Sequence, residues 1–115
     1  MNKIIFLLIL SLVLLPLHVI VVVALGSWTP IKDAKDPHVV EIGQFAVSEY
    51  DKLTRSRLSF VKVVRGESQV VSGVNYRLLL EVNGSDVSKN YVAVVLEKPW
   101  LKSMNLTSFD PVVVN

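Results

Sequence analysis

The alternation of apolar and polar residues is clearest in the second half of the chain, where it predicts an antiparallel sheet. Within residues 74–82 one face is apolar and the other mainly polar: Val74, Tyr76, Leu78, Leu80 and Val82 against Asn75, Arg77 and Glu81, with Leu79 as the exception. Such alternation is typical of a sheet with one buried face. A strand-like run at 58–64 precedes this segment, and Asn83-Gly84 predicts a turn after it. Further strands are predicted over residues 88–98 and 108–114.

A second periodicity, with apolar residues three and four positions apart, predicts a helix that ends within residues 54–57. Asp36-Pro37 provides an N-cap and a proline at the first helical position. Gly43 inside this helix costs about 1 kcal/mol relative to Ala, so we expect a sheet packed closely against it. The predicted fold class is α+β, with one N-terminal helix packed across a four- to five-stranded antiparallel sheet. The lead-in at residues 28–31 supplies the optional fifth strand.

Residues 1–25 are interpreted as a signal peptide, which leaves residues 26–115 as one domain. Lys3 is followed by a long apolar run, and small residues suit cleavage after Ala24 or after Gly26. The protein is therefore expected to be secreted, to the extracellular space or the vacuole, with no membrane partner after processing. The alternative is an uncleaved membrane anchor, because the apolar stretch approaches the roughly 20 residues that span a bilayer.

Composition argues against several functions for the processed chain. Of the 12 Lys and Arg, Lys3 lies in the first 25 residues, which leaves 11 against 10 Asp and Glu and a net charge of +1. This scattered charge gives no case for nucleic acid as a partner. Cysteine is absent, which excludes thiolate metal sites and cysteine nucleophiles. The single histidine after residue 25, His38, is expected to be solvated and has no Gly-x-Ser-x-Gly motif with it. No enzymatic activity and no cofactor are predicted.

An unusual feature is the apolar character of a predicted turn at Gln69-Val70-Val71-Ser72-Gly73. Turn tips face water and normally carry polar or small residues. In a meander, this turn and the turn at Pro99-Trp100 fall at the same end of the sheet, and the lead-in after Gly26 can end there too. The competing interpretation places the turn at Gly66-Glu67-Ser68 and makes Val70 and Val71 ordinary strand residues.

These segments resemble the cystatins, and in particular the plant cystatins. Residues 69–73 match the family's Q-x-V-x-G motif, Pro99-Trp100 resembles its second hairpin, Gly26 its N-terminal glycine, and residues 42–50 its helix signature. The similarity covers residues 26–115. It implies a tight-binding, reversible inhibitor of papain-like cysteine proteases that acts in plant defence or on endogenous enzymes. The implied protease-binding residues are Gly26, Gln69, Val70, Val71, Ser72, Gly73, Pro99 and Trp100.

Some positions depart from the family pattern or admit another role. Ser27 replaces a second glycine, and cleavage after Gly26 would remove the first. Gln44 and Asp51 replace usual helix residues at positions expected to face water. The alternative function is a non-inhibitory binding or structural module that self-associates through an outward apolar stripe: Val92, Val94 and Leu96. Asn83 and Asn105 begin N-glycosylation sequons, and a glycan on Asn105 would lie close to the Trp100 hairpin.

Overall fold

The computed structural model describes residues 26–113 as one helix packed on a five-stranded antiparallel sheet. The elements are β1 (Trp28–Pro30), α1 (Pro37–Thr54), β2 (Ser59–Val71), β3 (Gly73–Asn83), β4 (Asn90–Lys98), a 3₁₀ turn (Pro99–Leu101) and β5 (Ser103–Pro111). The strands lie side by side in chain order, which confirms the predicted fold class. The predicted signal peptide at 1–25 lies outside the described residues. Among residues 26–113, no helix combines the length and apolarity needed to cross a membrane.

Helix α1 begins and ends where its capping residues predict. The Asp36 carboxylate accepts hydrogen bonds from the backbone N–H groups of His38 and Val39, at 2.9 and 3.4 Å. Pro37 occupies the first turn, where its missing N–H costs nothing. After Thr54 the chain turns out of the helix at Arg55, whose φ of 55° is left-handed. The predicted helix is therefore confirmed, with its end at Thr54.

The core lies between α1 and the inner face of the sheet. The largest fully buried side chains are Ile42, Leu78, Leu80, Val82 and Val95. A Cβ on Gly43 would lie 3.0 Å from the side chains of Phe60 and Val63 and 3.2 Å from Leu80. Such distances are shorter than ordinary van der Waals contact, so a side chain at position 43 would press on the sheet. The expected packing reason for Gly43 is confirmed.

We expect Gly43→Ala to lower the free energy of unfolding by about 1 kcal/mol, although alanine is the better helix former. The added methyl overpacks three core side chains, and this outweighs the gain in helix propensity. Urea denaturation of the variant and of Gln44→Ala, an exposed neighbour in α1, provides the comparison. A Gly43→Ala protein more stable than the parent would contradict this account of the packing.

Strand β2 runs without a turn through Gly66-Glu67-Ser68, so the competing turn at that position is wrong. Glu67 lies opposite Pro30 of β1 and Arg77 of β3. Glu67 is tolerated here because, like its partner Arg77, it lies on the sheet face opposite the helix. The reversal occurs at Ser72, between Val71 and Gly73, where the apolar turn was predicted.

Three strands differ in their bounds from the prediction, and β2, predicted over residues 58–64, continues to Val71. Strand β4 begins at Asn90 instead of residue 88, and β5 covers Ser103–Pro111 instead of residues 108–114, of which residue 114 lies outside the described residues. In β5 the register shifts, because Val94 pairs with Ser108 and Val95 with Leu106. The extra residue, Thr107, donates its hydroxyl hydrogen to the Val94 carbonyl at 2.9 Å. This bulge interrupts the two-residue alternation by which the first half of β5 would have been recognised.

The outward side chains of β4 follow the predicted alternation. Tyr91, Ala93 and Val95 are buried beneath α1. The intervening Val92, Val94 and Leu96 face the other side of the sheet and are half-buried.

The loop after α1 is held by a helix carboxylate. Asp51 accepts hydrogen bonds at 2.9 Å from the Ser56 hydroxyl and from the Leu58 backbone N–H. Arg55 and Arg57 both have positive φ, at 55° and 58°. Asp51 was expected to be simply solvated, and that expectation is wrong, because its side chain satisfies the backbone of a tight loop.

Candidate functional site

One end of the sheet brings together both predicted hairpin turns. Val71 and Gly73 face each other across Ser72, and Val74 pairs with Glu97 on β4. A Cβ placed on Gly73 would be 3.3 Å from the Lys98 side chain, immediately before Pro99. The turn at residues 71–73 and the 3₁₀ turn are therefore direct neighbours. The expected proximity of these two segments is confirmed.

The apolar side chains of this end are exposed to solvent. Val70 and Val71 are 45% and 42% exposed, and Trp100 and Leu101 are 61% and 62% exposed. We call these four residues the apolar edge. Leu101 was not singled out from the sequence, although a large apolar residue beside an exposed tryptophan was a signal that could have identified it.

Gly73 holds the two turns at this short separation. Its φ is 112°, and a Cβ at this position would lie 2.5 Å from the Glu97 carbonyl oxygen. The backbone conformation and the close approach of β4 both require glycine here. The two turns thus form one unit at the end of the sheet.

Gly73→Ala should destabilise the fold by at least about 2 kcal/mol, because left-handed strain adds to a clash with a backbone atom. Thermal and urea unfolding measure the loss. Ser72→Ala, one residue earlier and exposed, is the matched control and should change stability by less than about 0.5 kcal/mol. Equal effects of the two substitutions would show that Gly73 has no special role.

The side chain of Gln69, the glutamine of the motif, is half-buried and bonds to segments on both sides of β2. Its Nε2 donates to the Gly26 carbonyl at 3.0 Å, and its Oε1 accepts from Asn75 Nδ2 at 3.1 Å. Gly26 is exposed, and a Cβ on it would have no atom within 4 Å. The described fold therefore does not require glycine at this position. The contact with Gln69 brings Gly26 to the same end of the sheet as the apolar edge.

His38 is not simply solvated, contrary to the expectation from the sequence. Its Nε2 donates a hydrogen bond to Glu97 Oε1 at 2.8 Å, and its Nδ1 lies 3.6 Å from Glu41 Oε2. Glu97 is only 8% exposed. The ring of Tyr76 meets the His38 ring edge-on. This pair joins the start of α1 to the strand residue that packs against Gly73.

The hydrogen bond to the Glu97 carboxylate raises the pKa of His38 above its ordinary value of 6.5. Partial burial opposes this rise, while the negative charges of Glu97 and Glu41 add to it. The pKa of Tyr76 is raised too, mainly by burial and next by the negative charge of Glu97. Protonated His38 is therefore favoured in the folded state relative to the unfolded chain.

His38→Gln should cost more stability at pH 5.5 than at pH 8.5. A group whose pKa is raised by folding contributes its full stabilisation below the unfolded value and loses it as pH rises through the folded value. Because His38 is about half-exposed, the pH-dependent part should stay below about 1 kcal/mol. Urea titrations of both proteins across this range test the difference, and a pH-independent difference would contradict the assignment.

The remaining chemistry of the described residues offers no metal centre. Within residues 26–113, no group of three or more His, Asp or Glu side chains is arranged to hold a metal ion. Asn83 at the end of β3 and Asn105 in β5 are both exposed. Their glycosylation stays a prediction.

Comparisons with known proteins agree with this arrangement. The family model described as "SQAPI: Aspartic acid proteinase inhibitor" matches residues 31–112. "Cysteine proteinase inhibitor 5" of Arabidopsis thaliana is 58% identical over 113 residues, which cover 96% of this chain and 93% of that protein. "Cysteine proteinase inhibitor 1" of Actinidia chinensis var. chinensis is 47% identical over 90 residues, 78% of each chain.

Solved structures share the fold. A salivary cystatin from the soft tick Ornithodoros moubata superposes with a TM-score of 0.61 at 26% identity, covering 73% of this chain and 94% of that one. Mialostatin, a gut cystatin from the hard tick Ixodes ricinus, gives a TM-score of 0.66 at 17% identity and covers 77% and 100%. The helix, the sheet and its two adjacent turns define a cystatin-type fold. The chain belongs to the plant family of cystatin-like proteinase inhibitors, which are not enzymes.

Proposed function

We propose that this protein is a reversible, tight-binding inhibitor of papain-like cysteine proteases. The observation that carries the proposal is the apolar edge, in which exposed valines and an exposed tryptophan share one end of the sheet with Gly26. In the proposed complex, the N-terminal segment and the two turns enter the active-site cleft together. Relatives that are 58% and 47% identical bear the name of cysteine proteinase inhibitors.

The edge is well suited to binding because its backbone is fixed before any partner arrives. Its turns continue paired strands, and Gly73 locks one turn against β4, so little conformational entropy remains to be lost on docking. Trp100 and Val71 are anchors of the kind that fill apolar subsites. The open space around Gly26 leaves the backbone free to approach a partner closely.

The family description names aspartic proteinases, whereas the relatives' names specify cysteine proteinases. We favour cysteine proteases because the Q-x-V-x-G and Pro-Trp motifs, which carry the resemblance to cystatins, lie in the exposed turns. Pepsin serves as the aspartic proteinase in the test below, where it should remain fully active.

A non-inhibitory module that self-associates is the alternative function. It would act through Val92, Val94 and Leu96, which are half-buried. A smaller fraction of these side chains is therefore exposed than in the apolar edge, and this favours the edge as the principal contact surface. Self-association stays a prediction.

We further propose secretion, by removal of residues 1–25, to the extracellular space or the vacuole. The basic start and the apolar run of this segment support the proposal. Sequencing the N-terminus of the mature protein tests it and also establishes whether Gly26 is retained.

The direct test is titration of active-site-calibrated papain with the mature protein, followed by dilution. We expect stoichiometric loss of activity at nanomolar concentrations, recovery after dilution and competition with substrate. Undiminished papain activity in the presence of micromolar protein would refute the proposal. Loss of pepsin activity instead would identify the protein as an inhibitor of aspartic proteinases.

Trp100→Ala should weaken inhibition of papain by more than about 1 kcal/mol, at least fivefold in Ki, because it removes an exposed anchor. The unfolding free energy should hardly change. Leu53→Ala is the matched control, since Leu53 is also a large exposed apolar residue but lies at the far end of α1. A Ki equal to that of the Leu53→Ala protein would show that Trp100 does not contribute to binding.

A further inference from the structure

The N-terminal arm, residues 26–30, is held to the sheet by only a short strand. Strand β1 has three residues and pairs with β2 alone, through Trp28 opposite Gln69 and Pro30 opposite Glu67. Chain ends of this length are poorly ordered unless side chains tie them down. Two sets of side chains on the sheet face opposite the helix do so.

The first set is a chain of hydrogen bonds between amides. Asn75 of β3 donates to Gln69 of β2, and Gln69 donates to the Gly26 carbonyl. Gln69 and Asn75 lie directly opposite each other in the sheet register. Because Asn75 occupies the acceptor oxygen of the Gln69 amide, the NH₂ group is directed to the arm.

The second set is a stack on the arm's aromatic residue. The Arg77 guanidinium carbon lies 4.2 Å from the centroid of the Trp28 ring. Two nitrogens of the same group, Nη2 and Nε, donate to Glu67 Oε1 at 2.9 and 3.3 Å. Glu67 lies opposite Arg77 in the register and fixes the guanidinium in place. The geometry is that of a cation–π contact held by an ion pair.

We propose that Arg77 and Asn75 are positioning residues for inhibition, which fix the N-terminal arm beside the apolar edge through Trp28 and Gln69. Neither residue belongs to the exposed turns, and both lie on β3, whose first residue, Gly73, lies beside the apolar edge. Strand β3 thereby aligns the arm with the turns across β2. The consequence for inhibition rests on the proposed function, whereas the ordering of the arm does not.

The ordering is tested by ¹⁵N relaxation of the mature protein without any protease. In the parent, the heteronuclear NOE values of Trp28 and Thr29 should equal those of β2. In Arg77→Gln they should fall clearly below those of β2, and in Arg77→Lys, which keeps the cation, they should lie between. Arg65→Gln is the matched control, because Arg65 is an exposed arginine opposite Leu79. It lines the same shallow cavity as Pro30 and Arg77, but it makes none of the hydrogen bonds, ion pairs or ring contacts described for the arm.

The inhibitory consequence is tested with papain and the same variants. Arg77→Gln should raise Ki roughly two- to fivefold, the range of an exposed cation–π contact, mainly through faster dissociation. Asn75→Ala should raise Ki in the same direction if the mature chain retains Gly26. In Trp28→Leu protein, Arg77→Gln should have no further effect, since the contact is already lost.

The outcomes distinguish this inference from the proposed function. If papain is unaffected by the parent protein, the proposed function fails, while the NOE values still decide whether Arg77 orders the arm. If the parent inhibits papain but Arg77→Gln changes neither the NOE values nor Ki relative to Arg65→Gln, the positioning role is refuted. A lower NOE with an unchanged Ki would limit Arg77 to a structural role and overturn its part in inhibition.

Discussion

The arrangement of this molecule depends on the contact between Gly73 and the backbone of β4. No side chain fits between Gly73 and the Glu97 carbonyl, so the turn after β2 and the turn after β4 lie against each other. Both turns would remain apolar without this contact, but they would be separate loops. Because of it, they form one rigid end of the sheet, and rigid apolar surfaces bind with a smaller loss of entropy than mobile ones.

Glu97 connects that contact to the rest of the domain. Its carbonyl approaches Gly73, whereas its carboxylate accepts a hydrogen bond from His38 at the start of α1. On the opposite face of the sheet, polar side chains tie the N-terminal arm to β2 and β3. The buried core therefore supplies the stability of the helix and sheet, while polar contacts on both faces determine how the two turns and the N-terminal arm are placed relative to one another.

Local signals in the sequence were sufficient for the architecture. Asp36-Pro37 marked the helix start, the alternation in residues 74–82 gave the sheet, and the neighbouring turns followed from meander geometry. Contacts distant in sequence were not foreseen, because they depend on strand register. His38 and Glu97 are 59 residues apart, and neither carries a local signal of the other. The start of β5 was missed because the bulge at Thr107 breaks the alternation on which strand prediction relies.

The loop after α1 influences stability at the end of the sheet opposite the apolar edge. Arg55 and Arg57 adopt left-handed conformations that cost an ordinary residue about 1 kcal/mol or more each. They follow α1 near the end of the sheet where Ser59 pairs with Asn83, whereas the apolar edge lies beyond Val70 and Val74 at the other end. Asparagine or glycine at these sites would relieve strain at the end of the sheet away from the apolar edge. Tolerance of heat can thus evolve, or be engineered, without altering the choice of target.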